Sequence, residues 1–115
     1  MSKTYNWVVD AGSDSTRIFH VVDGNCEPVN VEGFTARMQV RPYIDSKTVA
    51  DELTTENGRI VIDTDGNVRV FLTHEATASY KFKEGVYDLE LISPSGDVTR
   101  IVEGRVIVRK EVTRE

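Results

Sequence analysis

Thr35-Ala36-Arg37-Met38-Gln39-Val40-Arg41 alternates apolar with polar side chains, and that alternation decides the fold class. In an extended chain successive side chains point to opposite faces, so Ala36, Met38 and Val40 share one face while Arg37, Gln39 and Arg41 share the other. This is the pattern of a strand with one buried and one solvated side. Pro42 stops it, because proline cannot donate to a central ladder.

The same period of two recurs on the C-terminal side. Residues 68–73 place Val68, Val70 and Leu72 inward, and residues 86–92 place Tyr87, Leu89 and Leu91 inward. Residues 98–108 form a long final strand interrupted at Gly104, where a bulge or bend is expected. Asp65-Gly66, between residues 59–63 and 67–73, supplies the positive φ that a tight hairpin turn needs. Ser93-Pro94-Ser95-Gly96-Asp97 has the proline-then-glycine chemistry of a second turn. Toward the N-terminus, residues 5–9 and 16–23 read as two strands joined by a polar run, and residues 29–32 as a short edge strand. Residues 46–53 depart from the pattern: Val49 and Leu53 lie four apart with Ser46 as a cap. That spacing fits a single helical turn, or else a loop or short strand that drops two apolar residues into the core. These signals together predict one all-β domain, an antiparallel immunoglobulin-like sandwich of about seven or eight strands with at most one short helical turn. The absence of a Cys…Trp…Cys pattern argues against the antibody type only.

Composition narrows the function. The chain has 115 residues, 39% hydrophobic and 29% charged, which suits one folded domain rather than two or a disordered segment. Its formal net charge of −5 argues against a nucleic-acid partner, since phosphate contacts need a basic surface. Cys26 is the single cysteine, so no disulfide staples the domain. It reads as a tolerated thiol, because His20 and His74 fall in or at the end of expected strands. The N-terminus lacks the apolar stretch of a secretion signal, and the apolar runs are too short for a membrane span; the expectation is synthesis in a cytoplasm and no membrane contact. Residues 110–115 read as a charged, flexible tail.

Motifs that carry chemistry fail one by one. Asp63-Thr64-Asp65-Gly66-Asn67 resembles the start of a calcium loop, but His74 stands where the bidentate glutamate belongs, and a plain hairpin turn explains the same residues. Gly12-Ser13-Asp14-Ser15 lacks the spacing of a phosphate cradle, and no Gly-x-Ser-x-Gly elbow occurs. Asp51 and Glu52 show no sign of facing each other across a cleft, as a glycosidase pair would. No catalytic, cofactor-binding or metal-binding residue is therefore expected, and the chain reads as a non-enzyme. Candidate interface residues are Arg37, Arg41, Tyr43, Arg69 and Tyr80. The arginines, with Arg59, are placed on outer strand faces, where they either pair with Asp88 and Glu90 or meet a partner's carboxylates. Trp7 reads as core rather than anchor.

Three stretches stand in a telling order: Gly33-Phe34-Thr35-Ala36-Arg37-Met38-Gln39-Val40-Arg41, then Gly85-Val86-Tyr87-Asp88-Leu89-Glu90-Leu91, then Gly104-Arg105-Val106-Ile107-Val108 with Glu111-Val112-Thr113-Arg114 after it. From about Thr16 to Arg114 the chain resembles the N-terminal β-sandwich domain of bacteriophage baseplate upper proteins and related small tail-associated proteins. The resemblance implies a structural component of a virion, in the tail, baseplate or head–tail region, made in the bacterial host. Its implied partners are other phage structural proteins, arranged as a symmetric oligomer. Two rival readings stand beside it: a free-standing carbohydrate- or receptor-binding module, and a small hydrolase.

Overall fold

In the computed structural model, which describes residues 3–22, 25, 27, 29–110 and 112, the alternating stretches become strands. They are β1 Lys3–Thr4, β2 Trp7–Asp10, β3 Ser15–His20, β4 Thr35–Arg41, β5 Asp51–Thr54, β6 Ile60–Ile62 and β7 Asn67–Leu72. A short helix α1, His74–Ser79, precedes β8 Glu84–Ile92 and β9 Val98–Arg109. One sheet, here sheet A, runs β1-β9-β8-β4-β5, with β2 also paired to β9; the other, sheet B, runs β3-β7-β6. The inward residues named from the pattern on β4, β7 and β8 are all buried, and together with Trp7, Val9, Leu53, Ile60, Val102 and Val106 they fill the space between the sheets. Cys26 lies outside the described residues.

Both hairpin turns share one geometry. Gly66 (φ 83°) donates to the Asp63 carbonyl while Asp63 N–H bonds Asn67, and Gly96 (φ 95°) donates to Ser93 while Ser93 N–H bonds Asp97. A three-residue loop of this kind closes with a residue in the left-handed region, which glycine enters without a Cβ clash.

Five expectations need correction. The sandwich is not wholly antiparallel: β1 and β2 run parallel to β9, with Lys3 opposite Val102 and Asp10 opposite Arg109. The first expected strand, residues 5–9, begins later, as β2 at Trp7–Asp10, and a separate two-residue strand, β1, stands before Tyr5-Asn6. Residues 46–53 contain no helical turn. Ser46 Oγ instead accepts from Thr48 N–H, and Leu53 is buried in β5, because the edge of β4 offers backbone partners that a helical turn would forgo. Among the described residues the one helix is α1, where Thr73 Oγ1 accepts from Ala76 N–H as an N-cap. Residues 29–32 form no strand; Val31 drops into the core and Asn30 Oδ1 accepts from Glu32 N–H. Finally, β9 is continuous through Gly104, and its register slips instead at Ile101, since Leu89 faces Val102 and Glu90 faces Arg100. Gly104 serves a close crossing: a Cβ there would stand 2.1 Å from the Tyr5 carbonyl oxygen.

Candidate functional site

Sheet A presents its polar side to solvent, and the register of its strands writes the charge pattern. Arg37 pairs with Thr54 on one side and Glu90 on the other, and Gln39 lies between Glu52 and Asp88. Asp88 in turn faces Glu103. The resulting contacts tile the face. Arg37 Nη2 donates to Glu90 Oε1 at 2.9 Å, Gln39 Nε2 to Glu52 Oε2 at 2.6 Å, and Arg41 Nη2 to Gln39 Oε1 at 2.8 Å. Arg105 reaches Glu84 at 2.8 Å and Arg100 reaches Asp88 at 3.5 Å. A shallow depression of about 570 Å³ is lined by Gln39, Arg41, Ile44, Asp88, Arg100 and Arg105, among others.

Asp88 sits at the heart of that depression. Burial lifts its carboxyl above the ordinary value, and the neighbouring Glu90 and Glu103 charges add to the lift while Arg100 opposes it. Such a group holds its proton more tightly folded than unfolded. Its ionisation therefore costs stability that grows as the pH rises from below the usual carboxylate range through the raised folded value. Asp88→Asn should raise the melting temperature at pH 7, with the gain shrinking toward pH 3, as read by circular dichroism melts at both pH values.

The candidate interface residues divide among three places. Arg37 and Arg41 lie on this face, and Tyr43, 62% exposed, follows β4 directly beside the exposed Ile44. Arg69 is on the outer side of sheet B, between Ile18 and Val61, with Asp63 at 3.8 Å. Tyr80 is only 8% exposed and belongs to the core, stacked on Phe82. Its hydroxyl donates to Asp51 Oδ2 at 2.6 Å, and burial followed by that bond pushes its pKa far up.

Arg59 is also not a solvated outer-face residue. Its guanidinium donates to both Asp51 oxygens, at 2.8 and 2.9 Å, and its Nε donates to the Phe71 carbonyl. Asp51 opens β5 in sheet A, and Arg59 leads into β6 in sheet B, so this bidentate pair clamps the two sheets at one end. No signal in the sequence joined Asp51, Arg59 and Tyr80: the first two are eight residues apart but stand at strands of different sheets, and Tyr80 follows twenty-nine residues after Asp51. Asp51→Ala leaves the Arg59 guanidinium with only the Phe71 carbonyl and the buried Tyr80 hydroxyl without its acceptor, and should cost about 2–3 kcal/mol in urea unfolding.

Among the described residues the two histidines are engaged in local contacts. His20 Nδ1 lies 2.6 Å from Asn67 Oδ1, and exposed His74 lies 2.9 Å from Asp14. Among the described residues no cluster of three His, Cys, Asp or Glu side chains is placed to hold a metal ion. Asp63 spends its carboxylate on the N–H groups of Asp65 and Asn67, as a hairpin turn requires.

No protein-family model matches the sequence, and no curated protein matches it. Solved structures do resemble it. A chain of the crystal structure of ICOS in complex with ICOS-L and an anti ICOS-L VNAR domain superposes with a TM-score of 0.50 at 16% identity, over 94% of this chain and 56% of that one. This chain therefore spans little more than half the length of that neighbour. A chain from the parallel homodimer structures of the extracellular domains of the voltage-gated sodium channel beta4 subunit gives a TM-score of 0.49 at 12% identity, over 97% and 96% of the two chains. At such identities the likeness is one of fold, and the fold is an immunoglobulin-like β-sandwich.

Proposed function

We propose that this chain is a non-enzymatic protein-docking module of a phage virion, placed in the tail, baseplate or head–tail region in several symmetric copies. The observation that carries the reading is where the three motif stretches lie. Residues 35–41, 85–91 and 104–108 of those stretches lie in β4, β8 and β9, three strands of sheet A of which β8 is the middle one, so that part of the resemblance concerns one continuous surface. That surface carries Arg37 and Arg41, with the exposed Tyr43 and Ile44 in the loop that follows β4, residue types suited to a protein partner. The chain should appear as a stoichiometric band in the mass spectrum of purified virions from its host. Its consistent absence there would refute the virion assignment.

The rival readings have less support. A glycan site usually presents clustered exposed rings, whereas of Trp7, Tyr43 and Tyr80 only Tyr43 is exposed. A hydrolase could claim Asp88, raised in a depression. Its raised pKa, however, follows from burial and from the β8–β9 register that sets Asp88 opposite Glu103, with Glu90 two residues along. Among the described residues no histidine, cysteine or serine lines that depression, and Glu103, which does, is the cross-strand neighbour of Asp88 rather than a carboxylate facing it across a cleft.

A further inference from the structure

Among the described residues β3 is an edge strand with no strand paired to its outer side, because β1 and β2 run along sheet A instead of closing sheet B. The hydrogen-bond phase of that edge follows from one contact. Val21 N–H donates to the Gly66 carbonyl, in the same register that pairs Ser15 with Leu72 and Phe19 with Val68. Backbone groups alternate sides along an antiparallel strand, so Ser15, Arg17 and Phe19 bond β7 while Thr16, Ile18 and His20 aim their N–H and C=O groups outward. Arg17 Nη1 donates to the Thr16 carbonyl, which leaves Ile18 and His20 as the open positions. Beside this edge runs a groove of about 350 Å³ between the sheets, walled by Phe19 and Val21 on one side and by Tyr5, Ile101 and Val102 on the other. Ile18 stands at its rim, 56% exposed.

The charge of the groove is unusual for this chain. Lys3 lines it, while no described carboxylate is among its lining, on a protein of net charge −5. The ion-paired face of sheet A differs, since a partner there must strip water from charges that are already satisfied.

We infer that β3 is a strand-addition site: an extended segment of another protein, apolar at alternate positions with acidic residues between, adds to sheet B along β3. Its backbone bonds Ile18 and His20, its apolar side chains enter the groove, and its carboxylates meet Lys3. This deepens the docking reading by naming the mode and chemistry of one partner, and it does not depend on the virion assignment.

The test uses the whole chain and a short blocked peptide alternating valine with glutamate, with a valine–lysine peptide as its counterpart. In the free protein the amides of Thr16, Ile18 and His20 should exchange with solvent far faster than those of Arg17 and Phe19. The glutamate peptide should protect Ile18 and His20 and bind at least about tenfold more tightly than the lysine peptide. Ile18→Pro removes only an outward N–H and so spares the β3–β7 ladder; it should abolish binding, with Thr16→Pro as a second edge block should the first misfold. Equal binding of both peptides, or no protection of Ile18, would overturn the proposal. So would a dimer of the chain alone that Ile18→Pro dissolves, since the occupant would then be a second copy. Peptide binding by a protein absent from virions would remove the proposed function and uphold the strand site.

Discussion

Gly104→Ala should cost about 3–5 kcal/mol, far more than the same change at any turn glycine. The added Cβ would stand 2.1 Å from the Tyr5 carbonyl oxygen and 2.8 Å from its carbon, and both are backbone atoms that no rotamer change can move. Relief requires the chain at Tyr5-Asn6 to lift off β9. That movement breaks the Tyr5 N–H bond to the Glu103 carbonyl at 2.9 Å and the Arg105 N–H bond to Asn6 Oδ1 at 3.1 Å. It also withdraws the carbonyl to which the Tyr87 hydroxyl donates at 2.7 Å, leaving a largely buried phenol without its acceptor. Gly58→Ala is the control: its φ of +79° makes alanine cost about 1 kcal/mol, but nothing lies within 4 Å of the new methyl. Urea unfolding of the two variants, followed by Trp7 fluorescence, should separate them by at least about 2 kcal/mol.

This glycine also shows what the sequence could convey. Strand identity and facing were legible because a period of two is a local property, and Met38, Val70 and Leu89 are all fully buried as their spacing requires. The turns at Asp65-Gly66 and Ser93–Asp97 were legible for the same reason. Gly104 was visible as an interruption, but its cause was not, since the atom that excludes a side chain there belongs to Tyr5, ninety-nine residues away in sequence. Residues 46–53 misled because Val49 and Leu53 at a spacing of four fit a helix, whereas the unsatisfied edge of β4 decided for a strand at Asp51–Thr54. α1 was missed because six residues carry too little periodicity, and its anchor is tertiary. Thr77 Oγ1 accepts from Gly12 N–H at 3.0 Å and donates to the Ser13 carbonyl at 2.9 Å.

The candidate site was legible by half. Alternation put Arg37 and Arg41 on one outer face, and the Arg37–Glu90 pair formed as the spacing suggested. Tyr80 could not be sorted from Tyr43 by type, because burial of a tyrosine depends on whether its hydroxyl finds an acceptor. Tyr80 finds Asp51, and Tyr43, on the loop beyond β4, stays in water. The open edge of β3 depends on which sheet β1 and β2 join, a choice made by pairing across the whole chain.

Trp7 touches both sheets, and Trp7→Ala should be the most damaging substitution in the core, at about 3–5 kcal/mol. Trp7 is completely buried. It stands edge-on to Phe19 of sheet B at 6.4 Å between ring centres, and to Tyr87 of sheet A at 6.3 Å. Its indole N–H donates to Ser15 Oγ at 2.9 Å, and the Arg17 guanidinium lies 5.4 Å from its ring centre. A single side chain on β2 thereby ties β9 and β8 to β3, joining the two sheets where antibody domains use a disulfide. Two aromatic contacts of about 0.5–1.5 kcal/mol each add to the cavity cost. Trp7→Phe keeps a ring in place but loses the bond to Ser15, so it should recover roughly half of the loss. A domain of this size has only about 5–15 kcal/mol in hand, which puts the alanine variant close to unfolding at 37 °C. If Trp7→Ala instead unfolded at nearly the wild-type urea midpoint, the sheets would have to be held by the Asp51–Arg59 clamp, and Asp51→Ala would then become the larger effect.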